Sequence, residues 1–415
     1  MSMWWENEFV STRKRRLYLG ARPAQQVAGQ HGTPLLIYSR RQILENYETL
    51  RRTFSRTSKL PLRVCYAMKA NAHREILRLL RKQGAWIDAV SPREVEEALR
   101  TGFSARKVLF TGTSLSIEDL RRVFRIDGLT VNIDALEQLE LMQELKKKEF
   151  RQKAIRVSVR WNPGIGRGFN PRAITAGARS TDGTPVKFGV EKSKVLTAFE
   201  KAASSGFLPV GLHQHLGSGW VEEDYEVVRT AVDRMIAMAG RVEKAGFRLE
   251  FLDFGGGFGP RYEERQRVFP LQRYAVHIAR RIAEAGLGVE AIAVEPGKYL
   301  VADAGALLLG VEYLKESYGQ LFACVNSGTY NSLPRPAIYP QARHHIVNCN
   351  RTYDGRMRPV TVAGNLCETG DVFGKEIPMP VPRRGDILAV LSAGAYGRSM
   401  ASNFNLRDIP REVLI

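Results

Sequence analysis

The sequence predicts an α/β protein: a closed (β/α)8 barrel of the TIM type joined to a discontinuous, mainly β C-terminal domain. Three observations carry this. Eight short apolar runs alternate with amphipathic helical stretches between residues 60 and 300; each run ends in a polar or glycine-rich segment; and no Gly-x-Gly-x-x-Gly turn follows the first run. An open doubly wound sheet usually carries that turn, whereas eight repeats over roughly 240 residues have the rhythm of a barrel. A chain of 415 residues, 44% hydrophobic and 25% charged, is long enough for the barrel and a second core.

Taken in order, Thr33–Tyr38 is a β-branched and apolar run that predicts a strand lent by the N-terminus to the second domain. Arg41–Phe54 has helical spacing and precedes the first barrel strand. It is the candidate to fill the outer ring, because no helix pattern follows the eighth strand. The barrel strands are Leu62–Met68, Trp86–Val90, Val108–Phe110, Thr130–Ile133, Ile155–Trp161, Val210–His213, Phe251–Phe254 and Ala291–Val294. Between them, His73–Gln83, Pro92–Thr101, Ala135–Lys148, Lys192–Ser204, Tyr225–Ala245 and Leu271–Ala285 show the 3.6-residue spacing of amphipathic helices. Ser91-Pro92-Arg93-Glu94 is a start signal, with serine as cap and proline at the first helical position. Past residue 301 the texture turns to β-like runs, Leu321–Val325, His345–Cys349, Pro359–Ala363 and Asp386–Leu391. The domains are therefore read as 40–300 for the barrel, and 1–39 with 301–415 for the β domain.

Composition narrows the function. The four cysteines, Cys65, Cys324, Cys349 and Cys367, show no CxxC spacing, which argues against a zinc site or disulfide framework and for a reducing, cytoplasmic setting. The basic run Arg13-Lys14-Arg15-Arg16 follows Trp4 and Trp5 but leads into no signal-peptide core, and the longest apolar stretch, near Ala304 to Val311, is too short to span a membrane. The net charge of +19 is spread over helical segments rather than gathered in a helix-turn-helix or zinc finger, so a solvated basic exterior is expected and nucleic acid is not.

In a barrel of this kind chemistry sits at the C-terminal strand ends. Strand one delivers Lys69 behind Cys65-Tyr66-Ala67-Met68, where desolvation lowers a lysine toward a nucleophilic amine able to form a Schiff base. Strand six delivers His213, His215, Gly217 and Ser218; strand seven delivers Gly255, Gly256 and Gly257; strand eight delivers Glu295, Gly297 and Lys298. Three glycines after a strand let backbone N–H groups turn to an anion without Cβ interference, which suits a phosphate. His215 can stack on an aromatic ring. A metal pair with His213 is the rival reading, and no other residue at ligand spacing supports it. Lysine, phosphate cradle, stacking imidazole and strand-end carboxylate together describe a pyridoxal phosphate site.

These motifs, YAMKAN at Lys69, HQHLGSG at His215 and DFGGGFG at the glycines, resemble those of the fold-type III pyridoxal phosphate decarboxylases, within them the diaminopimelate decarboxylases, from about Thr33 to Glu412. The resemblance implies decarboxylation of meso-2,6-diaminopimelate to L-lysine and CO2, with Lys69 as Schiff-base lysine and Glu295 at the ring nitrogen. NSLPRPAIY is similar to the segment supplying a substrate-binding arginine and tyrosine, here Arg335 and Tyr339. CETGD implies an acid/base cysteine at Cys367 and a substrate-contacting Glu368, and GAYG implies that Tyr396 reaches cofactor and substrate. It also implies an obligate homodimer, since the family's cysteine motif comes from the neighbouring subunit.

Two departures bear on specificity. Glu-Pro-Gly-Lys stands where the family has Glu-Pro-Gly-Arg, so Lys298 keeps a charge near phosphate and substrate but loses the planar fork that grips a carboxylate. Thr329-Tyr330 and Leu333-Pro334 stand where Gly-Met and Leu-Ile are usual. The alternatives are a decarboxylase for ornithine, lysine or arginine, whose distal cations suit Arg335 poorly, or an amino-acid racemase, whose weaker electron sink suits Glu295 poorly.

Overall fold

The computed structural model describes residues 3–353 and 356–415. The chain divides into two compact units, one of residues 47–259 and 267–297, the other of residues 1–46, 260–266 and 298–415.

The first unit is a closed barrel of eight parallel strands, Leu62–Ala67, Trp86–Ala89, Val108–Phe110, Thr130–Ile133, Ile155–Arg160, Phe207–His213, Phe251–Asp253 and Ala291–Val294, in sequential order, with the eighth paired to the first. Each predicted barrel strand is present, within three residues at its ends. The interior is packed by Cys65, Leu109, Phe251 and Ala293, so the barrel is a core and its strand ends form the working face. At the start of helix Pro92–Arg100 the Ser91 hydroxyl accepts the Glu94 N–H at 3.3 Å and the Glu94 carboxylate accepts the Val90 N–H at 2.7 Å, as the start signal predicts. Helix Ile117–Phe124, which the apolar spacing leaves unmarked, is opened by a capping box between Ser116 and Asp119. The long helix before the first strand runs Arg40–Ser55. Tyr47 donates to the Gln83 carbonyl and Phe54 meets the Tyr274 ring edge-on, so its second half stands in the outer ring between the helices of strands one and seven.

The second unit is mainly β. Its eight-stranded sheet is organised around Gly305–Ser317, which pairs with Leu35–Tyr38, Gln320–Val325 and Ile387–Leu391; Arg411–Leu414 pairs in parallel with Leu35–Tyr38. Phe9, Leu17, Leu35, Ile37, Leu308 and Ala389 form its core. The basic run 13–16 is the turn of a hairpin joining Val10–Arg13 to Arg16–Leu19, with Lys14 and Arg15 in the left-handed region. No helix among the described residues is long and apolar enough to cross a membrane.

Candidate active site

Lys69 lies in a short turn, Met68–Ala70, directly after the first barrel strand. Its Nζ is 2.9 Å from Oδ2 of Asp88, a fully buried carboxylate at the end of the second strand. The lysine side chain stays one-third exposed, so its ammonium meets a carboxylate rather than the dry pocket expected from its apolar neighbours. Asp88 is a residue that the sequence reading missed, although its strand-end position is a usable signal.

Glu295 follows strand eight and is buried. His213 Nε2 lies 3.1 Å from its Oε1, in ion-pair range but outside hydrogen-bond geometry, and His215 Nδ1 lies 3.5 Å from its Oε2. Burial opposes the charge on Glu295, yet the adjacent His213 outweighs it and holds the carboxyl well below the usual range. Burial, only partly offset by Glu295, pushes His215 down. Its Nδ1 accepts the Gly256 N–H at 3.2 Å, which leaves the proton on Nε2 and fixes the ring's tautomer. Asp253, one strand over, is pushed well up by burial and then by the Glu295 charge, while its carboxyl accepts the Gly255 N–H at 2.9 Å. The ligating atoms of His213, Asp253 and Glu295 lie within 4.8 Å of one another, a convergence that the histidine spacing does not signal. The trio forms a buried polar group around Glu295.

The glycine loop has no room for side chains. A Cβ on Gly256 would stand 2.1 Å from the Glu295 carbonyl oxygen, and one on Gly257, whose φ is +128°, 2.2 Å from the Trp220 ring. Gly297 faces Ala67 and Ala70, where a Cβ would come to 3.1 Å. Ser218 is half-buried, its backbone tied to Ala173 and Phe169. An amine, an imidazole of fixed tautomer, a glycine cradle and a buried carboxylate oxygen, Glu295 Oε1, with no hydrogen bond of good geometry are a fit for pyridoxal phosphate.

In the second unit Arg335 is buried in the short helix Arg335–Ile338, donating from Nη1 to His344 Nε2 at 2.8 Å, with its guanidinium 4.8 Å above the Tyr262 ring. Lys298 is also buried, its Nζ 5.7 Å from the centre of the Tyr396 ring. Burial, then the Arg335 charge, pushes Lys298 well below the usual lysine value. Tyr339 closes the short helix through its N–H to the Arg335 carbonyl. Cys367 and Glu368 lie on an exposed loop. That loop is pinned by Asp371, whose carboxylate accepts from the Thr329 N–H and hydroxyl at 2.6 and 2.8 Å and from the Leu366 N–H at 2.8 Å. Tyr262, His344 and Asp371 are the other residues that sequence reasoning missed. Only Asp371, closing the CETGD motif, had a visible signal.

A family profile described as "Pyridoxal-dependent decarboxylase, pyridoxal binding domain" matches residues 40–302. The chain is 38% identical to the diaminopimelate decarboxylase of Methanothermobacter thermautotrophicus, over 97% of this chain and 91% of the relative. Its fold is similar to that of the M. jannaschii diaminopimelate decarboxylase in complex with L-lysine, at a TM-score of 0.89 and 30% identity, covering 100% of this chain and 94% of that one. The Helicobacter pylori diaminopimelate decarboxylase complexed with L-lysine gives a TM-score of 0.85 at 29% identity, covering 94% and 93%.

Proposed function

The chain belongs to the pyridoxal-dependent decarboxylases, and from that premise we propose that it acts as a diaminopimelate decarboxylase. It releases CO2 from the D centre of meso-2,6-diaminopimelate and leaves L-lysine, the last step of bacterial-type lysine biosynthesis. The observation that carries the choice of substrate is the buried Arg335. A buried guanidinium selects a distal carboxylate over the distal cation of ornithine, lysine or arginine.

Pyridoxal phosphate supplies an aldehyde that links to amines and a conjugated ring that takes up the electron pair left when CO2 departs. Lys69 would provide the amine that holds the cofactor, and Asp88, 2.9 Å from its Nζ, pairs with the free ammonium. Glu295, kept ionised by His213, would hold a proton on the ring nitrogen. His215 would pack on the ring face, and Gly255, Gly256, Gly257, Ser218, Gly297 and Lys298 would hold the phosphate end. Arg335 and Tyr339, with Lys298, bind the carboxylate of the distal L centre, Glu368 reads its ammonium, and Tyr396 reaches both substrate and cofactor. Cys367 gives a proton to the carbon that lost CO2.

The exposure of Cys367 and Glu368 supports their working in the active site of a neighbouring subunit, and hence a homodimer with shared sites. Residues 40–300 then serve as the cofactor domain, and 1–39 with 301–415 as the domain contributing substrate and interface residues. The protein works in the cytoplasm, with neither nucleic acid nor membrane as partner. The test is CO2 release from meso-diaminopimelate measured beside ornithine, lysine and arginine, with alanine racemisation as a further arm. Turnover of meso-diaminopimelate is expected to dominate; activity confined to the other substrates refutes the reading.

A further inference from the structure

Arg335 and His344 are both buried, and their contact has only one chemically consistent form. A guanidinium can only donate and a carbonyl can only accept. His344 stands between the two, with Nε2 2.8 Å from Arg335 Nη1 and Nδ1 2.9 Å from the Leu391 carbonyl oxygen. The imidazole is therefore neutral, with its proton on Nδ1. A second proton would abolish the acceptor and set two cations against each other; burial, then the Arg335 charge, pushes His344 down to about 3, so the neutral form persists at working pH. Leu391 ends the strand Ile387–Leu391, which anchors the imidazole to the main sheet. On its other side Tyr262 meets the His344 ring edge-on at 5.3 Å and lies under the guanidinium at 4.8 Å. A planar cation is thus fixed on one edge by a sheet-anchored acceptor and on one face by an aromatic ring.

We propose that His344 is a positioning residue: by accepting one guanidinium N–H it fixes the plane in which Arg335 meets the distal carboxylate of the substrate. This inference rests on the reading of Arg335 as the carboxylate-binding residue. Its consequence is that discrimination between a substrate with a distal carboxylate and one without depends on a residue that touches neither.

Two conservative variants separate positioning from simple filling of space. In His344→Gln the carboxamide oxygen reaches the place of Nε2 and can still accept from Arg335. In His344→Asn the shorter amide keeps the place of Nδ1 and the Leu391 bond but cannot reach Arg335. KM for meso-diaminopimelate and the affinity of the holoenzyme for L-lysine, which keeps the L-centre carboxylate, are measured for both. The Asn variant is expected to weaken both by roughly 10–100-fold, with the Gln variant within about threefold of the parent. A Gln-to-Asn difference below about threefold overturns the proposal, because a merely structural histidine would not distinguish the two amides. Arg335→Gln is measured beside them: a KM unchanged there overturns the underlying reading of Arg335, whereas a raised KM with His344→Asn unaffected overturns only the role of His344.

Discussion

Gly256→Ala puts one methyl group where the structure leaves none. The new Cβ would stand 2.1 Å from the Glu295 carbonyl oxygen and 3.0 Å from its carbonyl carbon. The φ of Gly256 is not in the left-handed region, so alanine meets no backbone penalty there and the effect is steric alone. To reach an ordinary contact the two segments must part by about 1.3 Å or more, a small-to-large change of the kind that costs about 1–3 kcal/mol. The displacement cannot stay local. Glu295 donates its own N–H to the Gly255 carbonyl at 2.9 Å, and the Gly256 N–H holds His215 at 3.2 Å, so loop, carboxylate and stacking ring move together. If that cost falls on the cofactor-bound form, affinity for pyridoxal phosphate drops by roughly 5- to 150-fold at 1.4 kcal/mol per decade. Titration of the cofactor-free protein, followed by the absorbance of the bound cofactor, measures it. Gly240→Ala in helix Tyr225–Lys244 is the matched control: its Cβ would meet Leu287 at an ordinary 3.8 Å, and it should stabilise the fold by about 0.5–1 kcal/mol with cofactor affinity unchanged. Parent-like affinity in a folded Gly256→Ala protein would mean that the glycine loop does not hold the cofactor.

Cys367→Ala should lower kcat by roughly 10²–10⁴-fold, the range of a lost general acid, with little change in KM; steady-state kinetics within threefold of the parent would remove the cysteine from the chemistry. Lys69→Ala should bind cofactor without covalent attachment, so that mass spectrometry after borohydride reduction finds no cofactor-linked peptide; a linked peptide elsewhere would reassign the amine. Lys298 has its folded pKa well below the usual value, through burial and then the Arg335 charge. Between that depressed value and the ordinary ~10.4 the unfolded chain binds more protons, so folded stability rises with pH through this window. Lys298→Met should therefore raise the melting temperature of the cofactor-free protein at pH 7, with the gain shrinking toward pH 10; a gain equal at both pH values refutes the titration argument.

The barrel was legible because each buried parallel strand is a short apolar run with an abrupt polar end, and because those ends carry Lys69, His215 and Glu295 in plain view. Strand Gly305–Ser317 was not legible as one element. Its first half is buried on all sides and its second half carries Glu312, Lys315 and Glu316 on an exposed hairpin arm, so no single period runs through it. The run 13–16 reads as charge, whereas what shapes it is the pair of left-handed residues in a tight turn. Partners that act through contact leave the least trace. His344 acquires its role only from the groups that folding brings against it, Arg335 and the Leu391 carbonyl, and nothing in its own neighbourhood along the chain announces this.

Strand Leu35–Tyr38 pairs with both Gly305–Ser317 and Arg411–Leu414, and the Tyr38 hydroxyl donates to Glu412 at 2.8 Å across 374 residues. During synthesis that early strand waits for its neighbours. At about 5–20 residues per second, the interval before its last partner is made is roughly 20–75 s. All eight barrel strands are translated within that interval, and none needs residues 411–414 as a pairing partner. The order of assembly is thus written into the chain: the barrel can close while Leu35–Tyr38 is still an unpaired edge, the kind of edge that recruits other chains.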